Sequence, residues 1–429
     1  MGRRSVGSDT KVAGPERAVL VGLVAGRTRR LEAERSLDEL AGLADAAGAQ
    51  VVLRVLQERP RPDPATFLGS GKIQALTESC AETDAELVIF DNELSPTQLR
   101  RITEVVGRKV LDRTQLILDI FAARARTSEG KLQVELAQLK YLLPRLIGAG
   151  PALSQQGGGI GTKGPGETKL ETDRRRIRTR IHVIGEAIEQ VRQRRSHLRE
   201  RRRKAAVPTV ALVGYTNAGK TTLFNRLTRS NATASDALFV TLDPLVRQVR
   251  LPDNRELLVS DTVGFIDRLP HALVAAFRAT LEEVVKADLA LHVIDASAPD
   301  RERLIGAVRK VLEEVGAMDV PLVDVYNKCD HLSPEETQRL RDMEPGAVCI
   351  SALSGEGIEG LVEAIASRLE LDVRRVTLEF DPDDERDRER VGRLYRHGRV
   401  LEHEVRDGRI TIVADVPRRL LGWFEKPAR

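Results

Sequence analysis

Residues 209–224 read TVALVGYTNAGKTTLF. The apolar run TVALV has the composition of a buried strand, and TTLF opens a run with helical spacing. Between them stand Gly214, Tyr215, Thr216, Asn217, Ala218, Gly219, Lys220 and Thr221, with Thr222 after them. The spacing G-x-x-x-x-G-K-[ST] between strand and helix is that of a phosphate-binding loop. Its glycines let backbone N–H groups turn toward a β-phosphate, and the helix N-terminus adds positive potential. In such a loop the lysine, Lys220, reaches the β- and γ-phosphates, and the Thr221 hydroxyl ligates Mg²⁺.

Working outward, the strand–loop–helix pattern repeats, with apolar runs at 209–213, 256–260, 289–295, 320–326 and 347–350. That repetition predicts a doubly wound α/β domain over 207–371. Asp261-Thr262-Val263-Gly264 ends one run, forty residues after Thr221. An acid there can hold the metal, and Gly264 leaves its N–H free for a γ-phosphate. Asn327, Lys328, Cys329 and Asp330 end another run. Asp330 can accept from the N1–H and exocyclic amine of guanine, which adenine does not offer. Asn327 suits the O6/N7 side of the base and also bracing of the phosphate loop. Ser351-Ala352-Leu353 fits a final turn whose backbone N–H meets O6. Thr241, in FVTLDP, is the better-placed threonine to complete Mg²⁺ coordination, with Thr233 its rival. Lys220, Thr241 and Gly264 are the candidate catalytic groups; Thr221, Thr241 and Asp261 are the candidate metal ligands. Phe265 occupies the position where Ras-like enzymes carry a water-orienting glutamine. Phenyl cannot hydrogen-bond water, so unassisted hydrolysis is expected to be slow. Asn217 stands where several potassium-activated GTPases carry asparagine; it either holds K⁺ near the β–γ bridge or only braces the loop.

The rest of the chain divides by pattern. The 429 residues suggest about three domains. Aromatics are only 3% of the chain, so the cores must be aliphatic. Residues 17–128 alternate apolar runs with amphipathic stretches, which predicts a parallel α/β domain. Within them, Gly69-Ser70-Gly71-Lys72 imitates a phosphate loop, but Thr66 stands where the first glycine belongs and Ile73 follows the lysine. A helix-entry turn is expected there. Over 129–206, Leu132, Leu136, Leu139, Leu143 and Leu146 recur at heptad spacing, as do Ile177, Ile181, Ile184, Ile188 and Val191, with Leu198 one heptad further. Two such stripes predict an antiparallel coiled-coil hairpin. Its tip, residues 153–169, is rich in glycine and carries Lys163 and Lys169. Residues 169–204 hold fourteen basic and five acidic side chains, a net +9 in a chain of net +4. One surface is thus suited to a polyanion. Residues 372–429 predict a small α+β domain: strand 374–380, helix 384–397 and a hairpin turning at Asp407-Gly408. No apolar run approaches a membrane span, and 1–16 read as a disordered tail without a secretory signal. Cys80, Cys329 and Cys349 lack paired zinc spacing and are expected to be reduced thiols.

Several longer stretches resemble the HflX family of ribosome-associated GTPases. They are FLGSGK (67–72), VIFDNELSPTQ (88–98), LDRTQLILDIFAARARTSEGKLQVELAQLKYLLPRL (111–146) and SQQGGGIGTKGPGETKLETDRR (154–175). TLDP (241–244), DTVGFI (261–266) and NKCD (327–330) extend the likeness to nearly the whole chain. The resemblance implies an N-terminal α/β domain and coiled coil before a translation-factor-class G domain. It implies a cytoplasmic GTPase, expected to be monomeric, that binds the 50S ribosomal subunit and its rRNA. The glycine-rich loop would lie near the peptidyl-transferase centre, and the protein would split stalled or idle 70S ribosomes under stress. Two other readings stay open: a ribosome-assembly GTPase, and a GTP-dependent switch acting on a protein.

Overall fold

The computed structural model describes residues 14–26, 28–146, 165–204, 207–232, 238–239, 241, 244–251, 256–267, 278–369, 373–406, 408–417 and 421–424. The chain forms two compact units, Met1–Ala123 with Val134–Val183, and Arg124–Gln133 with Ile184–Arg429.

The first begins with β1 (Arg17–Val24), α1 (Arg30–Ala46), β2 (Gln50–Glu58), α2 (Ser70–Glu82), β3 (Leu87–Phe90), α3 (Pro96–Val106), β4 (Lys109–Asp112) and α4 (Arg113–Arg124). The strands form a parallel sheet in the order β2-β1-β3-β4. β1 and β3 are unbroken apolar runs because both of their faces are covered. Val21, Phe90, Leu68 and Ile102 share one core cluster. Each such side chain contributes about 1.5–3 kcal/mol by burial. α3 starts where its sequence says it should: Ser95 accepts from the Gln98 N–H, and Gln98 returns the bond to the Ser95 N–H. The GSGK segment is a helix entry, as expected: Gly69 precedes α2, and its N–H donates to Gln57 Oε1 at 2.9 Å.

Two long helices follow, α5 (Ser128–Arg145) and α6 (Pro165–Lys204). On α5 the heptad expectation needs correction. Leu132, Leu136, Leu139, Leu143 and Leu146 are only half-buried, while Gln133, Val134, Ala137 and Tyr141 are buried. The seam is turned by about one residue. Ala137 permits close approach, and Tyr141 lies under the Arg145 guanidinium, 3.4 Å from its ring centre. The leucines flank that seam. On α6 the stripe lies as expected: Ile184 is buried, Ile177, Ile181, Ile188 and Val191 are half-buried, and Arg175, Arg176, Arg178, Arg180, Arg192 and Arg194 are exposed. Arg180 grips Glu135 of α5 with two bonds, 2.7 and 2.9 Å. The glycine-rich loop with Lys163, and the side chains of Lys169 and Leu198, lie outside the described residues.

The second unit contains β5 (Thr209–Gly214), α7 (Lys220–Thr228), β6 (Leu245–Arg250), β7 (Glu256–Asp261), α8 (Arg278–Val285), β8 (Leu289–Asp295), α9 (Arg301–Glu314), β9 (Leu322–Asn327), α10 (Pro334–Met343), β10 (Val348–Cys349) and α11 (Ile358–Leu369). Its sheet runs β10-β9-β8-β5-β7-β6, parallel except for β6 against β7. The connections from β5 diverge to either side, so its carboxyl end opens a crevice where ligands bind in such sheets. β6 is an edge strand beyond the expected apolar runs. LVRQVR breaks its apolar run with the adjacent Arg247 and Gln248 and lies half-exposed on the sheet edge. The tail holds β11 (Val373–Phe380), α12 (Glu385–His397), β12 (Arg399–Arg406), β13 (Arg409–Pro417) and α13 (Leu421–Phe424), with an antiparallel sheet in the order β11-β13-β12. Gly408, at φ 75°, makes the expected turn; Asp407 lies outside the described residues.

Candidate active site

At the carboxyl ends of β5, β7 and β9 lies a cavity of about 550 Å³. The loop between β5 and α7 forms one wall. Asn217 and Gly219 adopt the left-handed conformation, φ 60° and 90°, which curls the backbone around an anion-sized space. A Cβ on Gly219 would overlap Asn327 Nδ2, so only glycine fits there. The loop is pinned to the segment after β7. Thr216 N–H donates to Phe265 O at 2.8 Å, and Phe265 N–H donates to Gly214 O at 3.1 Å. Tyr215 accepts at its hydroxyl from Asp267 N–H at 2.7 Å. Phe265 itself is 2% exposed, so its ring is core. Gly264 approaches so closely that a Cβ would stand 2.8 Å from Thr216 Cγ2 and 3.0 Å from Lys220 Nζ.

Lys220 is buried, and its Nζ donates to Tyr215 O at 2.8 Å. Burial pulls its pKa down to about 8, against the pull of Asp261. The three candidate metal ligands meet. Thr221 Oγ1 donates to Asp261 Oδ2 at 2.8 Å, Thr241 Oγ1 donates to it at 3.0 Å, and the two hydroxyls are 2.8 Å apart. Asp261 Oδ1 is buried without a hydrogen-bond partner. Burial raises the Asp261 pKa, with Lys220 and the two hydroxyls opposing. Two hydroxyls and an unsatisfied carboxylate oxygen form a hard oxygen donor set that fits Mg²⁺. Thr233, the rival of Thr241, lies outside the described residues.

The residues expected to read guanine line the far end of the cavity. Asp330 sits in the short 3₁₀ turn Cys329–His331, its carboxylate 3.5 Å from His331 Nε2. Lys328, at φ 64°, pairs with Asp295 at 2.8 Å. Asn327 uses both ends of its amide within the protein: Nδ2 donates to Ala218 O at 2.8 Å, and Oδ1 accepts from Ala352 N–H at 2.9 Å. Of the two roles foreseen for Asn327, bracing is the one this geometry displays. Any O6 contact by Ala352 N–H must share that bond. Ser351 and Ala352 are buried and Leu353 is exposed, although Ala352 and Leu353 both line the cavity. Thr222 lines the phosphate end. Asn217 is exposed at the cavity, and among the described residues its side chain has no hydrogen-bond partner.

Two residues of this site carry no motif. Arg226, on α7, donates from Nε to Ala352 O at 3.2 Å and from Nη2 to Leu353 O, clamping the guanine-side turn to the phosphate-loop helix. Phe239 lines the cavity, buried, at φ 59°. An aromatic two residues before Thr241 was the available signal for Phe239; nothing local marks Arg226.

Fold and site together define a P-loop GTPase of the guanine-nucleotide-binding class. Three family models match successive stretches: GTP-binding GTPase N-terminal over 34–122, GTP-binding GTPase Middle Region over 124–202, and 50S ribosome-binding GTPase over 209–328. The GTPase HflX of Caldanaerobacter subterraneus subsp. tengcongensis is 46% identical over 401 residues, 94% of this chain and 91% of that protein. The GTPase HflX of Escherichia coli K12 is 45% identical over 410 residues, 95% of each. The chain belongs to the HflX family of GTPases, and it binds and hydrolyses GTP. Among solved structures, a GTP-binding protein from the hyperthermophilic archaeon Sulfolobus solfataricus, in complex with GDP, matches at 24% identity and TM-score 0.43, covering 82% of this chain and 98% of that one.

Proposed function

We propose that this chain is a ribosome-associated GTPase that grips the 50S subunit through α6 and separates the subunits of stalled or idle 70S ribosomes, with GTP hydrolysis resetting it. The observation that carries this reading is the arginine face of α6. The isoleucine stripe is partly covered, with Ile184 buried, while Arg175, Arg176, Arg178 and Arg194 stand exposed; Arg180 and Arg192 are held by Glu135 and Glu282. Arg174, Arg175 and Arg178 line a shallow cavity of about 350 Å³ with Glu171 and Thr172. A guanidinium surface of this kind suits rRNA phosphates. The G-domain model, described as that of a 50S ribosome-binding GTPase, supports the same partner.

Hydrolysis rests on positioning and charge. The Lys220 ammonium would meet the β- and γ-phosphates, and the Gly264 N–H and Thr241 would close around the γ-phosphate. Thr221, Thr241 and Asp261 would hold Mg²⁺, which neutralises charge developing on the phosphate oxygens. The exposed Asn217 carboxamide would hold K⁺, which adds positive charge at the β–γ bridge. Phe265 offers no polar group to a water, so the resting rate is low and the partner supplies the missing positioning. Binding energy for the ribosome differs between the GTP and GDP states, and that difference does the work.

Single-turnover hydrolysis tests this. The purified chain should turn over on the order of 10⁻² s⁻¹ or slower. Addition of 50S subunits should raise the rate, and KCl should support more activity than NaCl at matched ionic strength. Fast turnover that ribosomes leave unchanged would overturn the proposal; equal rates in the two salts would remove K⁺ from it.

A further inference from the structure

Cys329 and Cys349 are twenty residues apart in sequence, yet the sheet brings them together. β10 lies beside β9 in register, with Cys349 opposite Tyr326, and Cys329 follows β9 by two residues. Cys329 N–H donates to Ile350 O at 3.1 Å, which fastens the start of the Asp330 turn to the end of β10. Cys349 is buried in a cluster with Tyr326, Ile294 and Leu340, and the half-buried Cys329 packs against that cluster. The Cys329 thiol donates to Tyr326 O at 3.3 Å, the carbonyl of the residue that faces Cys349 across the two strands. Each is joined to a guanine-side element: Cys329 immediately precedes Asp330, and Cys349 stands two residues before Ser351.

We propose that Cys329 and Cys349 form an oxidative modification site, converted to a disulfide by a hydroperoxide such as H₂O₂, and that the disulfide weakens guanine-nucleotide binding. The proposal rests on the reading of Asp330 as the guanine contact. The neighbouring Cys329 and Arg341 hold the Cys349 thiol below the usual thiol range against its burial; the same neighbourhood and burial push Cys329 the other way. Cys349 is the attacking thiol. Its thiolate attacks one peroxide oxygen and the O–O bond breaks. A sulfenic acid forms, and the released hydroxide takes up a proton and leaves as water. The Cys329 sulfur then attacks the sulfenic sulfur, the S–OH bond breaks, and the hydroxyl leaves with the Cys329 proton as a second water. Two thiols lose two electrons and two protons, and one peroxide becomes two waters.

An S–S bond of about 2.05 Å is far shorter than any non-bonded approach of two sulfurs, so forming it draws the two side chains together. Asp330 is next in the chain, so its carboxylate shifts against the base. Loss of one charge-assisted contact corresponds to a weakening of about tenfold or more.

The test uses the full chain. Fluorescent GDP is titrated before and after H₂O₂, free thiols are alkylated, and peptides are mapped by mass. The expected result is a Cys329–Cys349 cross-link and about tenfold weaker binding, with reductant restoring the original affinity. Cys349→Ala should keep its affinity in peroxide. Two alkylated thiols at 329 and 349 after peroxide would overturn the proposal. So would a cross-linked chain that binds GDP as tightly as the reduced one, or a Cys349→Ala chain weakened as much as the wild type. A reduced chain that binds no GDP would overturn the guanine site itself, and the proposal with it.

Discussion

Asp330 is the residue on which, under the proposed assignment, base identity would turn. Its carboxylate lies partly exposed at the cavity, so it is available to a ligand. Asp330→Asn replaces an acceptor by an amide. The variant should bind GTP roughly tenfold more weakly or worse, and should gain affinity for xanthine nucleotides. Competition binding against a fluorescent nucleotide checks both; equal displacement by GTP and XTP in the wild type would remove Asp330 from base recognition. Its place at the cavity was legible in the sequence, because that place depends on the three residues before it and the strand they end. The same holds for Lys220, Thr221 and Asp261. Arg226 was not legible, because its partners, Ala352 O and Leu353 O, reach it only through the sheet order. The approach of Cys329 to Cys349 was hidden for the same reason: spacing in sequence says nothing of neighbours across β9 and β10.

At the scale of elements, strands buried on both faces announced themselves as unbroken apolar runs, and β6 did not because it is a half-exposed edge. On α5 the heptad count found a helix but misjudged its buried face. Leucine spacing cannot register that a small Ala137 and a Tyr141 capped by Arg145 pack better. Within the second sheet, His292 on β8 lies opposite Asp324 on β9, with Nδ1 2.7 Å from Oδ1, and Arg309 adds a second pair at 3.2 Å. Burial raises the Asp324 pKa, but His292 and Arg309 outweigh it and hold the carboxyl below its usual value. A depressed folded pKa stabilises the protein above the unfolded value, about 3.9, and that stabilisation is lost as pH falls through the folded value. Asp324→Asn should therefore lower the Tm at neutral pH, and the gap to wild type should shrink below about pH 4. Thermal melts across pH measure this, and a constant gap would contradict it. On α6, reversing Arg174, Arg175 and Arg176 to Glu should weaken 50S binding and flatten its dependence on salt, since fewer counterions are released. GDP affinity should not change. An unchanged salt slope would mean that these arginines meet only solvent.

At the scale of the molecule, the proposed function would use the sheet, with its phosphate loop at the divergence of β5, as a nucleotide switch, and the partly covered arginine helix as a charged grip. The sequence joins the two directly, since α6 ends at Lys204 and β5 starts at Thr209. A change in nucleotide state therefore has a short covalent path to the arginine helix. The central claim is that GTP, in this site, controls a hold on the large subunit that parts the ribosome. Sucrose-gradient sedimentation of the full chain with 70S ribosomes tests it most directly, run with GTP, with GDP and with a non-hydrolysable GTP analogue. The chain should travel with 50S in the analogue and be released in GDP. The 70S peak should fall as 30S and 50S rise. An intact 70S peak, with the chain remaining at the top of the gradient in every nucleotide while it still hydrolyses GTP, would overturn the proposed function.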